Sequence, residues 1–225
     1  MNPLTQSKNT TILPVLIPLV LACFALSSLA RAACQQGCDD IHGNTFLGES
    51  TLVNNTTGEF NTAIGFEALT SNTLGTDNTA IGAFALLSNT LTFGNTAIGF
   101  MALAENNTGG DNTATGADAL EDNTSGFGNT ASGLDALEFN ETGNENTATG
   151  SEALASNTTG NDNTASGFEA LTSNTTGSNN TASGFNALVL NTTGFGNTAS
   201  GGDALESNTT GNVNTASAVY QKKRE

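Results

Sequence analysis

The sequence predicts an all-β chain, a parallel β-solenoid (β-roll) of ten 17-residue coils, and three observations carry that expectation. Asn-Thr-Ala recurs every 17 residues from Asn61 to Asn214, and Asn44-Thr45-Phe46 extends the series backwards. Counted from that motif, Asn at position 1, Thr at 2, Gly at 5, Leu at 9 and Asn at 12 do not vary. Glycines and asparagines at that density, with no apolar face at i, i+3, i+4, i+7, exclude helix. Units of fixed length with a single apolar stripe bury it only against their neighbours, which is the physics of stacking.

Residues 1–32 read as a secretory signal peptide. Lys8 lies in a polar start, an apolar run follows from Ile12 to Leu26, and Ala30-Arg31-Ala32 supplies a cleavage site after Ala32. The run is shorter than the ~20 residues of a spanning helix, and Pro14 and Pro18 interrupt it. The mature chain is therefore expected to be secreted or at the cell surface, with no membrane insertion. A lipoprotein signal ending at Cys23 is the alternative.

Residues 33–43 form an N-terminal cap segment with Cys34 and Cys38, the only cysteines left after cleavage. An oxidising compartment favours a disulfide between them, within one chain or between chains. Zinc is the alternative, but two thiols need two more ligands and His42 is the chain's single histidine. His42 reads as a solvated loop residue.

Residues 44–217 are the solenoid. Within a unit the Asn-Thr-Ala-x segment reads as a short strand, the Ala-Leu pair at positions 8 and 9 as the start of a second, and Asn-Thr-Thr-Gly as a turn. Stacking sets each position over its equivalent at about 4.8 Å, giving a rod of about 50 Å. The position-1 asparagines, Asn61, Asn78 and Asn95 among them, then form a ladder of side-chain amides, as do those at position 12. Gly65, Gly82 and Gly99 supply φ values above zero. Leu69, Leu86 and Leu103 belong to the one invariant apolar column. A core of one leucine and about two alanines per coil is thin against the backbone entropy of 17 residues. Several chains, three around an axis, are therefore expected to pool their apolar faces in a homo-oligomer.

Residues 218–225 are a basic tail. All five basic residues lie outside the repeats, and every acidic residue but Asp39, Asp40 and Glu225 lies inside them. Such a body repels phosphate backbones and anionic membranes, so nucleic-acid binding is not expected.

No catalytic residue, cofactor-binding residue or metal ligand is assigned. Serine and threonine abound, but the repeats hold no basic residue to activate them, so the chain is not expected to be an enzyme. Position 7 carries Glu67, Asp118, Asp135, Glu152, Glu169 and Asp203, a column that reads as a solvated acidic stripe, with Ca²⁺ binding as the sharper alternative. Position 4 changes along the chain. It is Leu47, Ile64, Ile81 and Ile98 in the first four units, then Thr115, Ser132, Thr149, Ser166, Ser183, Ser200 and Ser217. If positions 2 and 4 face outward, the later units present two hydroxyl columns, an arrangement that resembles ice-binding solenoids. Phe66, Phe100, Phe168 and Phe185 at position 6, with Phe93, Phe127 and Phe195 at position 16, are expected at seams between coils or subunits.

The unit from Asn61 to Gly75, NTAIGFEALTSNTLG, resembles the repeats of trimeric adhesin heads of the YadA type. It is more similar still to bacterial surface and tail-fibre-like proteins with NTAxGxxALxxNTTG arrays, which often precede an endosialidase-type chaperone domain. The resemblance covers Asn44 to about Ser217. It implies a left-handed, trimeric β-roll acting as a structural or adhesive module toward a surface glycan or protein receptor. The 17-residue period departs from the shorter adhesin-head repeat, and no stalk, barrel or chaperone domain follows before Glu225.

Overall fold

The structure is a computed structural model and describes residues 35–39 and 41–218. The chain divides into Met1–Cys34 and Gln35–Glu225, and everything described lies in the second unit. The signal peptide, Cys23, Cys34 and the tail from residue 219 onward lie outside the described residues.

The described chain is all-β, with twelve strands in one sheet in chain order. Strand β1 (Gln35–Asp39) pairs antiparallel with β2 (Asn44–Gly48), Cys38 standing opposite Thr45. The next strands are β3 (Thr62–Ile64), β4 (Thr79–Ile81), β5 (Thr96–Ile98), β6 (Thr113–Thr115) and β7 (Thr130–Ser132). They continue through β8 (Thr147–Thr149), β9 (Thr164–Ser166), β10 (Thr181–Ser183), β11 (Thr198–Ser200) and β12 (Thr215–Ser217). From β2 onward every pair is parallel and shifted by one unit, so that Thr181, Ala182 and Ser183 face Thr198, Ala199 and Ser200. This is the parallel β-solenoid of about ten coils that the repeat predicts.

The cap strand explains the one departure from Ala at position 3. Phe46 takes that place in the first coil, and its ring lies where a Cβ on Gly37 of β1 would stand. Pairing with β1 also covers the backbone edge of β2, which otherwise would be open to pairing with another chain. His42 lies half-buried in the turn between β1 and β2, and its carbonyl accepts a bond from the Phe60 N–H at 2.9 Å.

The second strand expected at Ala-Leu does not form. Positions 6 to 11 are turn in each complete coil after the first, residues 66–71 for example. The reason lies in the backbone. Positions 7 and 9 both adopt positive φ, as at Glu67 (55°) and Leu69 (51°), and extended chain cannot run through them. These turns still stack by hydrogen bonds. Leu69 N donates to Ala85 O of the following coil at 3.1 Å, and Glu67 N to Glu49 O of the preceding one at 2.9 Å.

The two glycine columns have different causes. At position 5, Gly65, Gly82 and Gly99 have φ of 138°, 141° and 146°, and a Cβ on Gly82 would stand 2.1 Å from Gly99 O. At position 15 no left-handed backbone is involved. A Cβ on Gly75 would instead stand 2.2 Å from Asn72 Oδ1, so closeness to the asparagine ladder excludes a side chain.

Inside the coils, Ala at positions 3 and 8 and the leucines from Leu69 to Leu188 are fully buried, with the two asparagine columns beside them. The Asn61 amide donates to Asn44 Oδ1 at 3.1 Å and to Gly75 O at 2.8 Å, while its backbone N–H donates to the same Oδ1 at 2.8 Å. Asn72 donates to Asn55 Oδ1 at 2.9 Å and to Gly75 O at 3.1 Å. Gly75 O thus accepts from both ladders, and the pattern recurs at Gly143 from Asn129 and Asn140. Buried amides left unpaired would each cost about 1 to 3 kcal/mol, so these bonds make the polar interior tolerable.

The leucine column is covered by the chain's own coils. Beside it, the asparagine ladders fill space that a purely apolar core would have to occupy.

Candidate interaction face

Each strand from β6 to β11 reads exposed, buried, exposed: Thr at position 2 outward, Ala at 3 inward, Thr or Ser at 4 outward. In β12, the last described strand, the middle Ala216 is half-buried. Short parallel strands in register make this outer face a net of two columns. Its repeat is about 4.8 Å along the rod and roughly 6.6 Å across it. The first coils differ. Thr62, Thr79 and Thr96 are half-buried, and position 4 carries Leu47, Ile64, Ile81 and Ile98, of which Leu47, Ile81 and Ile98 are exposed. The face changes character between Ile98 and Thr115.

The hydroxyls of the two faces of a coil are used differently. On the turn side the threonines of position 13 bond internally: Thr158 Oγ1 donates to Thr175 O at 3.0 Å, Thr175 to Thr192 O at 3.0 Å and Thr192 to Thr209 O at 3.0 Å. On the sheet face of β6 to β12, the hydroxyls of positions 2 and 4 make no hydrogen bond within the described chain. Their donors and acceptors are directed outward.

The acidic column sits elsewhere, on the turn. Glu67, Asp118, Asp135, Glu152, Glu169 and Asp203 all have positive φ. Asp and Asn tolerate that backbone better than most residues, so part of the column follows from conformation rather than from a ligand. The carboxylates crowd most around coils five and six. Burial, then the charges of Asp135, Glu121, Asp118 and Asp122, push the Glu138 carboxyl up to about 7. Burial and Asp135 likewise raise Asp118, and burial with Asp118, Asp122, Glu105 and Asp135 raises Glu121. No group of three or more His, Cys, Asp or Glu among the described residues is arranged to hold a metal ion.

Aromatic residues line the coil edges. Phe66, Phe84 and Phe100 meet edge to face with centroids 5.2 and 6.0 Å apart, and Phe168 stacks on Phe185 at 5.6 Å. Phe84, at position 7, escaped the position-6 pattern of the sequence. An open groove of about 390 Å³ lies between Phe93 and Phe127, where Gly110 leaves the column without a side chain. Beside it Thr92 replaces the position-15 glycine. Its hydroxyl bonds to Asn89 Oδ1 and accepts from the Asn95 amide at 2.9 Å, and the rung from Asn106 to Asn89 lengthens to 3.3 Å.

Cys38 is exposed on β1, and its expected partner Cys34 lies outside the described residues. No helix among the described residues is long and apolar enough to cross a membrane.

Fold and face together define a repeat protein of the parallel β-solenoid class, with one in-register outer sheet. Compared with known proteins, the chain matches no family model, no curated protein and no solved structure.

Proposed function

We propose that this chain is a secreted or surface-exposed structural and adhesive rod that makes its contacts through the outer sheet face. The observation that carries the reading is the separation of roles within each coil. The invariant positions other than Thr at 2 are interior or sterically fixed, while the sheet face is uncharged and its outward Thr recurs at every strand from β2 to β12. Weak contacts repeated along a stiff rod add up, because each engaged coil raises the effective concentration for the next. The leader-like first 32 residues support export. No catalytic step is part of the proposal, since the repeats offer hydroxyls without a base.

The resemblance implies a surface glycan or protein receptor as partner, while the repeated hydroxyls of the sheet face suit an ordered solid surface. Self-association, including a trimer, would run through the exposed phenylalanines at the coil edges rather than through the leucine column. Two measurements test the reading: fractionation of the producing cells, and adhesion of the purified full chain to immobilised surfaces. Retention in the cytoplasm, or adhesion unchanged by lysines placed at Thr147 and Thr164, would remove it.

A further inference from the structure

We propose that the face formed by β6 to β12 adsorbs to ice. The inference rests on the reading of the sheet face as the contact surface, and names its ligand.

The argument begins with the hydroxyls. Position 2 contributes Thr113, Thr130, Thr147, Thr164, Thr181, Thr198 and Thr215, and position 4 contributes Thr115, Ser132, Thr149, Ser166, Ser183, Ser200 and Ser217. All are exposed and none is bonded within the described chain, whereas the hydroxyls of Thr158, Thr175 and Thr192 on the turn side are. Each exposed hydroxyl is left to solvent, and parallel in-register pairing sets the residues that bear them on a two-dimensional net. A crystal of water presents oxygens on such a net. A solute glycan or a protein does not.

Rigidity makes the net usable. Threonine is stiff at χ1, the strands from β6 to β11 are tied to their neighbours on both sides, and the asparagine ladders fix the backbone beneath them. A preorganised array loses little freedom on docking, which is where weak contacts otherwise forfeit their gain. Charge is absent from positions 2 and 4 throughout these strands, so no strongly held hydration shell has to be stripped. The threonine methyls add apolar contact between the hydroxyls.

The other occupants fit less well. Protein interfaces concentrate their energy in aromatic or arginine anchors seated in pockets, and sugars stack on aromatic rings. The face has neither anchors nor rings, since the phenylalanines lie at positions 6, 7 and 16. The first coils lack the second hydroxyl column, because Ile64, Ile81 and Ile98 occupy it, so the activity belongs to the later strands.

The test uses the purified full chain. Wild type is expected to show thermal hysteresis and to be incorporated into a slowly growing ice crystal. The paired substitution Thr147→Lys and Thr164→Lys should cut the incorporated fraction at least tenfold, and Thr176→Lys, on a turn away from the sheet, should leave it unchanged. Circular dichroism checks that each variant folds; if the lysine pair does not, Thr147→Val with Thr164→Val keeps the shape and the β-branch, removes the hydroxyls, and should still reduce incorporation. Folded wild type that shows neither effect, or face variants as active as wild type, would overturn the proposal. Binding to crystalline cellulose or chitin without binding to ice would also overturn it, yet leave the adhesive rod standing.

Discussion

The first four coils and the last six share one interior and wear two exteriors. Beneath β3 and β4, Ala63, Leu69, Asn61 and Asn72 are buried as completely as Ala165, Leu171, Asn163 and Asn174 beneath β9. Above them the sheet face carries isoleucine in one region and a second hydroxyl column in the other. Stacking forces identity on whatever touches the neighbouring coil. Position 4, which faces outward, escapes that constraint and changes between Ile98 and Thr115, while the outward Thr of position 2 does not vary.

The largest expected effect should be equal in both regions. Gly65→Val and Gly133→Val each put a β-branched side chain at positive φ, with its Cβ about 2.3 and 2.4 Å from the next coil's carbonyl oxygen. Each should lose about 3 kcal/mol or more in urea denaturation. A large loss for one and none for the other would break the claim of a common interior. Next come Leu69→Ala and Leu137→Ala, expected to lose about 2 to 5 kcal/mol each, read from the same denaturation curves.

The junction offers a sharper comparison. Thr92 bridges the two asparagine ladders by its hydroxyl. Thr92→Val leaves Asn89 Oδ1 and the Asn95 amide short of a partner and should lose about 1 to 3 kcal/mol. Thr92→Gly restores the ordinary rung and should lose less, measured by the shift in melting temperature.

The smallest effect belongs to the later coils. Glu138, pushed up to about 7 from an ordinary 4.5 by burial and by Asp135, Glu121, Asp118 and Asp122, is favoured in its protonated form by the fold. Its contribution to stability is fully present below about 4.5 and is lost as pH rises through 7. The melting temperature should therefore fall between pH 4.5 and 8, and Glu138→Gln should flatten that slope.

Much of this fold was legible in the repeat. The period gave coil length and register, the alternation of Thr, Ala and Ser put positions 2 and 4 on one face, and the paired asparagines gave ladders. The left-handed backbone at Leu69 and its equivalents was not legible, because leucine rarely adopts it. That conformation holds only because burial and the bond to Ala85 O secure it, and it turned an expected strand into a turn. A signal did exist at position 17, where Asp77, Asp111, Asp162, Asn179, Gly94, Gly128 and Gly196 all have positive φ, the residue types that accept it most readily. The interaction face was half legible. The sequence displayed both hydroxyl columns, but only the structure established that they point outward and remain unbonded.

Side-chain amide hydrogen exchange, followed by NMR on the asparagines, tests the shared interior most directly. Protection should be strong and alike for Asn61, Asn78 and Asn95 in the isoleucine-faced coils and for Asn146, Asn163 and Asn180 in the hydroxyl-faced ones, with exchange rising only toward the half-buried Asn208 and Asn214. Fast exchange in either set of coils would contradict a single continuous ladder running beneath both faces.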